Sequence, residues 1–191
     1  EAAKARAKEL LDRFRREGAV PEDAPTARDG DVAIHSELAA SDLPAALAAL
    51  LDGARPPAYV AVLAWLPPFP ELAAALGRLR ETIANRTGVA ATAAFGPRYL
   101  HSTGQLHKGD AGRGRFLVLT SESPDDVPIP DAADADGSSL GFRALERAQA
   151  LGDVRALAEK GRRVVRLHLD SADPAALDRL AGAIPASRRL Q

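Results

Sequence analysis

Cysteine is absent from these 191 residues. That excludes disulfides and every metal site built on thiolate, and it suits a reducing compartment, so a cytoplasmic location is expected. Methionine is absent too, even at position 1, which leads us to expect a piece cut from a longer chain. Aromatic residues make up only 4% against 46% hydrophobic, so a core must be assembled mainly from Ala, Leu and Val. No apolar run approaches the ~20 residues of a membrane-spanning helix, and the first residues form a charged segment rather than a secretion signal. A net charge of −1 offers no surplus of positive charge, so neither nucleic acid nor an anionic membrane is expected as a partner. The length suits one domain of ordinary size.

What is present alternates between two hydrophobic patterns. Residues 1–18 read as a helix with an apolar stripe of Leu10, Leu11 and Phe14 and a stop at Gly18. Residues 19–31 are rich in Pro, Asp and Gly and read as a linker, which divides the chain into 1–31 and an α/β domain over 32–191. Val32–His35 is a short strand, and Ser41-Asp42 caps a helix over Leu43–Leu51 that ends at Gly53. Tyr59–Leu66 is continuously apolar and framed by prolines, as a strand buried on both faces would be. Leu72, Leu76, Leu79 and Ile83 give helical spacing to Glu71–Arg86, closed by Gly88. Val89–Phe95 is a second buried strand of small residues, Arg115–Thr120 a third and Val164–Leu169 a fourth. Ser121–Ser138 is an acidic, proline-bearing exposed loop. Leu140–Glu159 is helical with a break near Gly152-Asp153, and Pro174–Ile184 is a closing helix. Strand and helix in alternation predict a mainly parallel sheet with helices on both faces.

Residues 96–110 depart from this pattern. Gly-Pro-Arg-Tyr-Leu-His-Ser-Thr-Gly-Gln-Leu-His-Lys-Gly-Asp holds two of the four histidines and one of only four lysines. A polar run directly after a strand is placed where open α/β sheets bind ligands. Lys108 offers a point charge with three donors to a sugar hydroxyl or phosphate oxygen, or else is a solvated surface lysine. Imidazole as a group titrates near neutrality, so His101 or His107 suits moving a proton between ligand oxygens; the other reading has one of them bonding loop backbone. As a metal site the pair lacks a third ligand, so no metal is expected. Ser102, Thr103 and Gly104 either cradle an anion or cap the following helix. Gln105 both donates and accepts, as recognition of a hydroxyl requires. Arg98 is placed to bind phosphate or to pair with an acid. A Ser102–His107 nucleophile lacks the Gly-x-Ser-x-Gly turn. His35 and His168, in short apolar runs, read as structural, and the acidic stretch Asp125–Asp136 does not have the spacing of a calcium loop.

The element Leu100–Gly109 resembles the Leu-His-Ser-Thr-Gly-Gln-Leu-His-Lys-Gly element of the phosphoglucose isomerase family, in particular of bacterial enzymes fused to a transaldolase. The likeness extends through Tyr59–Pro68 and Leu140–Asp153 and so spans most of residues 59–170. It implies a three-layer, flavodoxin-like sugar isomerase (SIS) domain, the second of two in a parent that interconverts glucose 6-phosphate and fructose 6-phosphate without metal or organic cofactor. It implies that Lys108 reaches the substrate and helps to open the ring. It places the Ser/Thr phosphate loop and most of the acid–base groups in an upstream SIS domain, so the piece alone is expected to be inactive. Such domains pair, so an upstream SIS domain and a homodimer partner are both expected. The family continues Lys-Gly-Gly-Pro-Asn where this chain has Lys108-Gly109-Asp110-Ala111-Gly112. Asp110 is therefore expected to hold Lys108 charged, and its replacement by Gly to raise turnover. The alternative is a non-catalytic sugar-phosphate-binding or assembly domain of the same fold; a third reading is an unrelated α/β domain whose loop matches by chance.

Overall fold

The computed structural model describes residues 2–122, 125–133 and 137–186. Helix α1 (Ala2–Glu17) ends where Gly18, at φ 74°, donates its N–H to the Phe14 carbonyl. Within the segment expected to be a linker, β1 (Ala27–Asp29) pairs antiparallel with β2 (Val32–Ser36). At three residues, half exposed, β1 is too short to show a periodicity. Helix α2 (Leu43–Leu51) is capped by Asp42, whose carboxylate accepts the Ala45 N–H at 2.8 Å. Strand β3 (Tyr59–Trp65) is buried at every position but the first. Helix α3 (Pro70–Thr87) buries Leu72, Ala75, Leu76, Leu79 and Ile83, and Gly88 closes it in the left-handed conformation at φ 69°.

Strand β4 (Ala90–Phe95) does not form a second buried strand. It lies at the edge of the sheet, pairing with β3 alone, and its small side chains stay partly exposed. A 3-10 turn (Arg98–His101) leads into the six-residue helix α4 (Gly104–Gly109). Strand β5 (Gly114–Ser121) follows, then a small hairpin of β6 (Pro128–Ile129) and β7 (Leu140–Gly141). Parts of the expected acidic loop, residues 123–124 and 134–136, lie outside the described residues. Helix α5 (Phe142–Glu159) runs without a break through Gly152 and Asp153, both buried. A helical glycine costs about 1 kcal/mol relative to alanine; here the helix is held on one side by α1 through Leu10, Ala148 and Leu151, and on the other by the sheet through Ala150 and Leu157. Strand β8 (Arg163–Leu169) and helix α6 (Pro174–Ala183) are the last elements among the described residues.

The sheet has six strands in the order β1-β2-β8-β5-β3-β4, with β8, β5, β3 and β4 mutually parallel. Alternate side chains go to opposite faces. Val60, Val62, Leu117, Leu119, Val165 and Leu167 meet α2, α3 and α6 on one face. Ala61, Leu63, Phe116 and Val118 meet α5 and the turn before α4 on the other. This is the expected three-layer, flavodoxin-like α/β fold. The chain leaves β3 toward β4 on one side and returns to β5 on the other, so the order reverses between β3 and β5. A crevice opens at the carboxyl ends of strands where helices diverge in this way.

Candidate functional site

That crevice is present, with a volume of about 650 Å³. The loop after β3 (Leu66-Pro67-Pro68), the residues after β4 (Gly96-Pro97-Arg98, and His101) and the end of β5 (Thr120-Ser121-Glu122) form its rim, with α5 as the remaining wall. Trp65, the chain's one tryptophan, lies in its floor. The backbone of Gly96 closes over the indole so tightly that a Cβ there would stand 2.5 Å from a ring atom.

Of the residues expected to face a ligand, Arg98 and His101 line this crevice. Both are exposed, and neither side chain has a hydrogen-bond or ion-pair partner among the described residues. The others are turned away. Gln105 stands exposed on α4, and the Thr103 side chain makes no cap bond to that helix. The Ser102 hydroxyl donates to the Tyr99 carbonyl at 3.3 Å, and Gly104 lies close against that same carbonyl. His107 is buried, its Nδ1 3.1 Å from the Tyr59 hydroxyl and its ring edge-on to Phe116, with Nε2 unpartnered. Burial lowers its pKa in spite of the nearby Asp153 charge.

Lys108 also points inward. Its ammonium group pairs with Asp153, whose side chain is 2% exposed, and donates to the Gly104 carbonyl at 3.3 Å. The contact with Asp153 Oδ1 is a charge contact rather than an aligned hydrogen bond. The other Asp153 oxygen accepts the Tyr99 hydroxyl at 2.8 Å, and that hydroxyl accepts the Trp65 indole N–H at 3.0 Å. Lys108 is therefore linked to the crevice floor through a buried polar chain instead of lining it. The expectation that Asp110 holds Lys108 is corrected. Asp110 pairs with Arg162 at 2.8 Å, both side chains only 8% exposed, and accepts the N–H groups of Gly112 and Gly114. A lysine one helical turn behind a glycine can reach back to its carbonyl and into the layer beneath, which the sequence spacing does not reveal.

The crevice instead gathers charged residues from β5, α5 and β8. Thr120 and His168 are cross-strand partners, with His168 Nδ1 3.0 Å from the Thr120 hydroxyl oxygen. His168 Nε2 lies 3.0 Å from Glu122 Oε1, which also accepts Arg147 at 3.2 Å. Burial acts to raise the Glu122 carboxyl, but the bonds from His168 and Arg147 outweigh it and hold it below the ordinary range. His168, expected to be structural, thus stands on the crevice wall; burial lowers its pKa against the pull of Glu122. Behind them Glu22 binds Arg147 and Arg166 and sits 3.6 Å from His35, between this crevice and a second cavity of about 500 Å³ that Arg166 also lines. Glu146 faces the crevice with its carboxyl raised by burial and by Asp126. A sequence signal for this cluster existed: Arg166 and His168 alternate with Val165, Leu167 and Leu169, which puts two polar side chains on one face of an otherwise apolar strand.

Among the described residues no three His, Asp or Glu side chains gather so as to hold a metal ion, and no helix is long and apolar enough to cross a membrane. No protein-family model matches the chain, and none of the curated proteins matches it in sequence. Among solved structures it is similar to hypothetical protein TT0462 from Thermus thermophilus, with a TM-score of 0.61 and 22% sequence identity. The match covers 74% of this chain and 37% of that one, so this chain spans well under half the length of its structural neighbour. At this identity the likeness is one of fold, and the chain takes its place among three-layer α/β domains.

Proposed function

We propose that this chain is the second sugar isomerase domain of a cytoplasmic glucose-6-phosphate isomerase of the transaldolase-fusion type. The observation that carries the reading is that His101, from the element that resembles the family, and Arg98, two residues before that element, both open onto the switch-point crevice. The fold is the one that the resemblance implies. The crevice offers what an aldose–ketose isomerase needs at a sugar phosphate: an unpaired guanidinium for phosphate oxygens, an exposed imidazole for the ring oxygen, and carboxylates for hydroxyls. Lys108 is reassigned. Neutralised by Asp153, it supports Tyr99 and Trp65 beneath the ligand and leaves ring opening to His101.

The upstream domain would contribute the Ser/Thr phosphate loop, so residues 1–191 alone should turn over slowly or not at all. A coupled assay of the full-length protein carrying this chain tests the reading. Arg98→Ala and His101→Asn should each lower kcat/KM about a hundredfold, the scale of one lost acid–base or anchoring group. Unchanged turnover in both variants, or near-native turnover from residues 1–191 alone, would contradict it.

The internal neutralisation of Lys108 favours a second reading, a sugar-phosphate-binding domain that kept the fold without the chemistry. It predicts saturable binding of glucose 6-phosphate by the full-length protein with no isomerisation.

A further inference from the structure

The second cavity, of about 500 Å³, is large enough for a small polar molecule. It lies between the carboxyl-terminal half of α5, the segment before β1, and the neighbouring strands β2 and β8. Its charges are unevenly matched. Glu22, the inward carboxylate, has a side chain 14% exposed and already binds Arg147 and Arg166. Arg162 is paired with Asp110, and Arg163 donates to the carbonyls of Ala49 and Asp52. Arg155, on α5, is half-buried in the cavity wall and has no hydrogen-bond or ion-pair partner among the described residues. Charged side chains withdrawn from water are ordinarily paired, so Arg155 is a cation without its counter-ion.

His35 lines the same cavity. Its Nε2 is 3.6 Å from Glu22, beyond hydrogen-bond reach. Burial, then the Arg166 charge, lowers its pKa to about 4, and the Arg166 charge outweighs that of Glu22 there. The imidazole is therefore neutral at pH 7 and still has a donor and an acceptor to offer. The remaining carboxylates that line the cavity, Asp23 and Glu37, are exposed. One unmatched guanidinium calls for one negative charge. A phosphate ester brings about two at neutral pH, and Asp23 and Glu37 would repel the second. The same two carboxylates can accept bonds from hydroxyl groups.

We infer that this cavity is the binding site of a small hydroxylated monocarboxylate, its carboxylate on the Arg155 guanidinium and its hydroxyls on His35, Asp23 and Glu37. An arginine fork matches a carboxylate with two parallel hydrogen bonds. The inference does not rest on the isomerase reading, since neither Arg98 nor His101 takes part.

The test titrates the protein with D-gluconate, followed by calorimetry and by the imidazole resonances of its four histidines. Gluconate should bind saturably and shift the His35 signals. In Arg155→Gln the affinity should fall about tenfold or more, the scale of one hydrogen bond to a charged group. Because Arg155 holds no other group, this variant should melt as wild type does. Arg155→Lys, which keeps the charge but not the fork, should recover part of the affinity. Inorganic phosphate, titrated in the same way, should bind more weakly than gluconate. No saturable shift at His35, a shift that survives Arg155→Gln, or a response confined to His101 would overturn the inference. So would an Arg155→Gln variant that loses stability along with affinity, which would make the guanidinium a structural group. Phosphate binding tighter than gluconate would overturn the choice of a monocarboxylate.

Discussion

The ammonium group of Lys108, whose side chain is 16% exposed, pairs with the buried carboxylate of Asp153 and so ties α4 to α5. Asp153 accepts from Tyr99 as well, so loss of the Lys108 charge leaves a buried carboxylate without its counter-charge.

Lys108→Met is therefore expected to destabilise the fold by about 3–5 kcal/mol, the usual cost of breaking a buried pair. Asp153→Leu should cost a similar amount, and the double variant less than the sum of the two. Chemical denaturation of all three measures the coupling. Simple additivity would show that the two charges do not depend on each other.

Asp110→Gly is expected to weaken the protein rather than to activate it. The carboxylate holds Arg162 and the N–H groups of Gly112 and Gly114, closing the loop into β5. Removing it takes the counter-charge from a buried guanidinium that keeps only the Lys108 and Asp110 carbonyls, at a cost of about 3 kcal/mol. A melting temperature that is unchanged while turnover rises would restore the sequence-based expectation.

Gly96→Ala would push a methyl group into the Trp65 indole. Overpacking of this kind costs about 1–3 kcal/mol. The indole emission should shift to the red as the floor of the crevice loosens, and a spectrum and melting curve like those of wild type would show that the two do not pack as described.

Stability should fall as the pH drops from about 6.5 toward about 4. Burial, then the Arg166 charge, lowers the His35 pKa from 6.5 to about 4, although Glu22 pulls the other way and His168 and Arg147 add to the repulsion. Between those values the unfolded chain holds a proton that the folded chain does not, so stability present above the unfolded pKa is lost on acidification. His107 and His168 are lowered too and act in the same direction. His35→Gln should flatten the fall in this window, as followed by urea midpoints across pH; an equal slope in both proteins would remove His35 from the account.

How far the sequence could be read depended on whether a local pattern decided the outcome. Leu72, Leu76, Leu79 and Ile83 announce α3, Gly88 its end, and the unbroken apolar run at Tyr59 a central strand, because each is governed by burial period or backbone conformation. Gly152-Asp153 looked like a helix break by propensity, but packing on two sides and a buried ion pair override it. Residues 90–95 carry the composition of a buried strand, and nothing local tells that they form the edge of the sheet among the described residues. The site shows the same division. Its location followed from the alternation of elements. The orientation of Lys108 and His107 did not, since it depends on Asp153 and Tyr59, which lie far from them along the chain. His168 reads as structural and Glu122 carries no local signal, because their meeting is set by the strand register between β5 and β8.

The central claim is that a sugar phosphate occupies the crevice between β3 and β5. The most direct measurement is the indole N–H resonance of Trp65, a single signal in this chain, during titration of the protein with glucose 6-phosphate. A saturable shift of that signal, together with the His101 imidazole, is the expected result. No shift at either group, or shifts confined to α4 around Gln105, would contradict it.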